Sequence, residues 1–185
     1  MSGAVQSIDL DSSGDLLAGG AFNTAGGVTC HGMARWSNGT WSAVGTGFDN
    51  LVTSLVTLPN GEVIAGGTFT QAGALPAMHV ARWDGFGWNS MAGDTSAGVI
   101  ALLALPNGDV LAGGSFRTIG GIAAARIARW DGATWSPLGR GLDSVGLQKL
   151  QAKLNEQGVW RVAQLQGLTL RDFAELGQCL GRLKA

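Results

Sequence analysis

The stretch Ala128–Trp135 reads ARWDGATW. It has two earlier counterparts: ARWDGFGW at Ala81–Trp88 and ARWSNGTW at Ala34–Trp41. The three begin 47 residues apart. Two further markers keep that interval. AGGAF, AGGTF and AGGSF start at Ala18, Ala65 and Ala112, and SGD, NGE and NGD start at Ser13, Asn60 and Asn107. Three markers holding one period without a slip make this a repeat protein, and the fold must be read from the unit.

One unit reads as β structure. VTSLVTL (Val52–Leu58) is apolar and β-branched, which suits a buried strand. PNG (Pro59–Gly61) is a hairpin turn, with Asn-Gly suited to the positive φ of a type I′ turn. EVIAGGTF continues as a second strand whose glycines allow a close approach or a bend. A loop of small residues leads to HVARW, a DGFG turn and WNSMA, the third and fourth strands. A helix is excluded, because each interior glycine costs about 1 kcal/mol relative to alanine there. Four short strands in 47 residues describe a propeller blade. The expected blades are about 4–50, 51–98 and 99–143.

The diglycine strand followed by spaced aromatics resembles kelch-type β-propeller repeats. It is closer still to the AGGxF…ARWdGxxW repeats of bacterial propeller proteins and fungal cortical-marker ectodomains. The resemblance covers about residues 4–143 and implies a propeller with a binding role rather than an enzyme. The kelch tyrosine is missing, since the chain has no tyrosine. That removes the residue which copper-radical oxidases sharing kelch propellers require.

Closed propellers have four to eight blades. Three blades leave two open edges, and unpaired edges invite pairing. Twofold pairing is the commonest mode of oligomerisation. A second copy closing a homodimeric six-bladed ring is therefore expected; the rival is a fragment whose ring is finished by another chain.

From Ser144 the pattern changes. Residues 1–143 hold six arginines, no lysine and ten acids, a balance of −4; residues 144–185 hold six basic and three acidic residues, +3. Leu147, Leu150 and Leu154 have helical spacing, and Gly158 ends that stripe. Further stripes follow at Val159, Val162 and Leu165, and at Leu170, Phe173 and Leu176. Residues 144–185 are expected to form a small helical module. GLQKLQAKLNEQGVWRVAQLQGLT resembles the helix-hairpin-helix-like modules at the C-termini of assorted bacterial proteins, and LTLRDFAELG is similar to the end of a sterile-alpha-motif domain. The first glycine and the proline of the hairpin pattern are absent, so nucleic acid ranks behind protein as the partner. The candidate contacts of the tail are Lys149, Lys153, Trp160, Arg161 and Arg171.

Residues that recur are expected to be structural: Trp36, Trp83 and Trp130 as inter-blade core, and Arg35, Arg82 and Arg129 as bridges between blades to acids such as Asp84 or Asp131. The second tryptophans, Trp41, Trp88 and Trp135, are the ligand-binding candidates of a propeller lectin, where they would stack on sugar rings. Sites that break the repeat are the other candidates: Cys30, His31, His79, Arg117 and Arg126, with His79 and Arg126 standing where the first unit has Gly32. Loops on a rigid scaffold are where binding concentrates.

No catalytic motif, phosphate loop or dinucleotide fingerprint is present. Two histidines and two cysteines at unrelated spacings make no zinc signature, and no cofactor or metal is expected. The paired carboxylates Asp9 and Asp11 could bind calcium, but they flank a turn, where solvation is the expected role. No leader follows Met1 and no apolar run is long enough for a membrane span, which favours a cytoplasmic location. The reading is a non-enzymatic binding and assembly module. A glycan-binding propeller and nucleic-acid attachment through the tail are its alternatives.

Overall fold

The computed structural model describes residues 1–138. The helical module expected over 144–185, with Lys149, Lys153, Trp160, Arg161 and Arg171, lies outside the described residues. Within them the chain is all-β and folds as three antiparallel four-stranded sheets, each with its strands in sequence order. Blade 1 comprises Ala4–Leu10, Leu16–Ala21, Met33–Ser37 and Thr40–Ala43. Blade 2 comprises Val52–Thr57, Val63–Gly67, Val80–Trp83 and Trp88–Ser90. Blade 3 comprises Val99–Ala104, Val110–Gly114, Ile127–Trp130 and Trp135–Pro137. The first strands of successive blades pack side by side, so the blades fan out from a shared inner edge.

The hairpin between the first two strands differs from the expected type I′ turn. Gly61 N–H donates to the Leu58 carbonyl (2.9 Å), Leu58 N–H donates to the Glu62 carbonyl (2.8 Å), and of the turn residues only Gly61 has positive φ. This is a type I turn closed by a glycine bulge, and Pro59 favours it by supplying the φ its first corner needs. Two consecutive positive φ values, as in a type I′ turn, occur instead at Asn38 and Gly39, and at Gly26–Gly27 and Gly120–Gly121 in the small hairpins. The loop of small residues also has more order than expected. In each blade it folds into a two-stranded hairpin, such as Gln71–Ala72 against Leu75–Pro76.

The diglycine acquires a specific cause. All three first strands carry a register shift after Val5, Val52 and Val99. The shift brings the first-strand backbone onto the second glycine: a Cβ on Gly67 would collide with the Leu51 carbonyl, and one on Gly114 with the Gly98 carbonyl. The first glycine faces the next blade. A Cβ on Gly66 would stand 2.6 Å from the Val99 Cγ1. The core therefore lies between the blades. Leu17, Met33, Val44 and Phe48 of the first unit pack against Leu55, Val63, Phe69 and Trp88 of the second. Val80 and Met91 meet Val99, Leu102, Phe116 and Trp135 in the same way.

Candidate functional site: the blade junctions

Each junction combines apolar packing with polar ties, some of them on recurring residues. At the inner edge, the first strand of a blade turns unpaired N–H groups away from its own sheet, and buried backbone donors need acceptors. The preceding blade supplies them. The Ser7 hydroxyl accepts from Leu55 N–H (3.0 Å) and the Ser54 hydroxyl from Leu102 N–H (3.0 Å). Asp9 accepts from Thr57 N–H (2.6 Å) and from its neighbour Leu10 N–H (2.9 Å). Thr53 donates to the Val99 carbonyl (2.6 Å).

At the outer edge the second tryptophan of each pair crosses the junction. Trp88 Nε1–H donates to the Val44 carbonyl (3.1 Å), and Trp135 Nε1–H to the Met91 carbonyl (2.8 Å). Both indoles are buried. Neither presents a face to a sugar, which corrects the expectation of stacking platforms at Trp88 and Trp135. Trp41 is half-buried. The first tryptophans are less uniformly core than expected: Trp130 is buried, Trp83 half-buried and Trp36 exposed.

The arginines do not bridge blades. Arg82 pairs with Glu62 (3.2 Å), Arg35 with Asp11 (2.8 Å) and Asp15 (2.7 Å), and Arg129 donates through Nε to Asp109 (2.7 Å). The ladder explains this. Arg82 stands opposite Ile64, two residues from Glu62 across the strand pair. Asp84 and Asp131 instead hold the last turn of their own blades. Asp84 accepts from Phe86 and Gly87 N–H, Asp131 from Ala133 and Thr134 N–H. Those backbone donors, Gly87 and Thr134 foremost, hold both carboxyls below their ordinary range. Asp11 accepts from Ser13 and Asp15 N–H as well as pairing with Arg35, so Asp9 and Asp11 do not form one shared site. Among the described residues no cluster of histidine, cysteine or acid side chains is fit to hold a metal.

The residues that break the repeat gather at the opposite end of the blades, beside the small hairpins. Gly32, His79 and Arg126 share one backbone position, with φ of 81°, 68° and 69°. Glycine occupies it without cost, whereas His79 and Arg126 are held in a left-handed conformation. His79 Nδ1 lies 2.9 Å from the Thr95 hydroxyl and 3.1 Å from its carbonyl, and Thr95 is buried. The first unit has Phe48 in the place of Thr95, packed on Phe69 and Trp88. So the Gly32–Phe48 combination of one junction becomes His79–Thr95 in the next. His31 also has positive φ, and its carbonyl accepts from Phe48 N–H (2.8 Å). Arg117 is exposed, and its backbone N–H donates to Ser96. Cys30 is free and buried, and burial raises its thiol pKa.

Composition and motifs did not single out Ser7, Ser54, Thr95, Val5 or Ile8. The serines could have been found from their spacing of 47. Another set at that spacing is Ser2, Asp49 and Ser96. Each accepts from two backbone N–H groups of the hairpin about twenty residues on: Asn23 and Thr24, Thr70 and Gln71, Arg117 and Thr118.

The face of blade 1 turned away from blade 2 has no neighbour among the described residues. Ile8 is 65% exposed and Val5 43%, whereas their counterparts Leu55 and Leu102 are 4% and 8% exposed and Val52 and Val99 are fully covered. Behind them Ala18, Phe22, Ala25, Cys30, Ala34 and Trp41 form a small cluster, the blade 1 version of the half-junctions that blades 2 and 3 press against a preceding blade.

No curated protein matches the chain. A family model described as the Rax2 C-terminal beta propeller domain matches residues 2–155. With three sheets repeating at 47 residues and that match over most of its length, the chain belongs to the family of the Rax2 C-terminal beta propeller domain.

Proposed function

We propose that this chain is a non-enzymatic assembly and binding module that closes a six-bladed propeller with a second copy of itself. The observation that carries the reading is the difference between Ile8 and Leu55: one residue position, open in blade 1 and covered in blade 2. Covering Val5, Ile8 and Leu10 contributes roughly 1–2 kcal/mol each, and a twofold ring has two such junctions. The occupant is a blade because the same surface is built twice inside the chain, and a blade fills it both times. A second copy supplies that blade with twofold closure. In this reading residues 144–185 dock a partner or cement the oligomer.

Light scattering and sedimentation equilibrium test it. The expected mass is twice the 18.9 kDa of the chain, and Ile8→Asp restores the single-chain mass while keeping the β-sheet circular dichroism. A wild-type chain that stays at 18.9 kDa at the highest soluble concentration overturns the reading.

A further inference from the structure

We propose that Trp41 is the residue that sets the register of ring closure, its indole N–H donating to the main-chain carbonyl of Leu138 in the second copy. The inference rests on the ring reading above and names the contact by which it closes.

Trp41 is already posed for that bond. The paired rings lie 5.2 Å apart at 54° for Trp36–Trp41, 5.4 Å at 56° for Trp83–Trp88, and 5.3 Å at 51° for Trp130–Trp135. Each second indole thus keeps the same pairing with the first tryptophan of its own blade, whether or not another blade stands before it. In blades 2 and 3 that orientation delivers Nε1–H to the preceding blade, at Val44 and Met91. Among the described residues, the Trp41 indole has no acceptor. The acceptors advance by the repeat interval, and the next in the series is Leu138, with Gly139 following it in sequence as Gly45 follows Val44.

The closing junction also lacks the polar ties of the inner edge. The place of Ser7 and Ser54 is taken in blade 3 by Ala101, and that of Thr53 by Ile100; the place of Asp9 is already Val56 in blade 2 and is Leu103 in blade 3. Apolar contact alone is indifferent to sliding, because it carries no direction. The Trp41 indole then provides the directed contact that fixes how the two copies meet.

Two measurements test the latch separately from the ring. Trp41→Phe keeps an aromatic ring and removes the donor. A buried hydrogen bond changes an equilibrium roughly threefold to tenfold. With two symmetric junctions in each ring, the dimer dissociation constant should rise about 10- to 100-fold. Trp88→Phe breaks the corresponding bond inside the chain and should lower unfolding stability without moving that constant. On the unmutated protein, labelled with nitrogen-15 in tryptophan, the Trp41 indole N–H should exchange with solvent as slowly as those of Trp88 and Trp135. A dimer whose constant is unmoved by Trp41→Phe, or whose Trp41 N–H exchanges as fast as an exposed indole, overturns the latch and leaves the ring. A monomeric wild-type chain overturns both.

Discussion

Gly19 in blade 1 and Val52 in blade 2 share a space that holds one side chain: a Cβ on Gly19 would stand 2.7 Å from the Val52 Cγ1. The same relation recurs between Gly66 and Val99. Overpacking of a filled core costs about 1–3 kcal/mol. Gly19→Ala and Gly66→Ala should each lower unfolding stability by that amount in urea titration. Val52→Ala should recover part of the loss in the Gly19→Ala background, since residues in contact are not additive. Additive losses would disprove the shared space.

Ser54 is the acceptor for Leu102 N–H across a junction. Ser54→Ala leaves that donor short of its partner and should cost about 1–2 kcal/mol. Amide hydrogen exchange locates the effect: Leu102 should lose protection, while Leu111, paired inside its own sheet, should fall only with global stability.

His79 and Arg126 occupy a backbone position that favours glycine, at a cost of about 1 kcal/mol or more. The two should answer differently to glycine. His79→Gly releases strain but loses the contact with Thr95, so its stability should stay within about 0.5 kcal/mol of the wild type. Arg126→Gly, with no side-chain hydrogen bond to lose among the described residues, should gain about 1 kcal/mol. Equal gains in thermal unfolding would show that the His79–Thr95 contact contributes nothing.

Acid sensitivity follows from the turn aspartates. Asp84 and Asp131 have carboxyls held below their ordinary range in the folded chain by Gly87 and Phe86 N–H and by Thr134 and Ala133 N–H. A depressed folded value means that their stabilisation is fully present above the unfolded carboxyl pKa of about 4 and is lost as pH falls through the folded value. The unfolding temperature should therefore drop below about pH 4. Replacing both by serine, which accepts the same bonds without titrating, should flatten that limb and leave the neutral region nearly level. An unchanged acid limb would place its origin in other groups.

The blades were legible because the backbone needs of one unit recur in the next. The turn glycines Gly14, Gly61 and Gly108 and the diglycines sit where geometry admits little else, so the period shows in the letters. Partners were harder to read. Arg82 lies two residues from Asp84 in the chain, yet its carboxylate partner is Glu62, twenty residues back and across one ladder. The destination of the Trp88 indole is a main-chain carbonyl in another blade, which no side-chain identity announces. The two-residue strands of the small hairpins are too short to show a period. Val5 and Val52 are the same amino acid at the same place in the unit, and only the presence of a neighbour separates them.

Asp49 and Ser96, in the segments between blades, have a consequence for the angle from one blade to the next. Asp49 sits in the segment joining blade 1 to blade 2 and is held by Thr70 and Gln71; burial opposes its charge, and the bonds from Thr70 and Gln71 outweigh it and keep its pKa low. Two residues earlier, the Gly47 carbonyl takes Gly73 N–H, and Phe48 N–H is spent on His31. The segment is thus moored on both sides and has no slack through which one blade could swing against the next. In a stacked repeat, curvature is the sum of fixed steps from unit to unit. The step from blade 1 to blade 2 is therefore fixed by linker residues as well as by the packed faces. A shift of angle between blades would have to break those linker bonds as well as the face contacts between Gly66 and Val99.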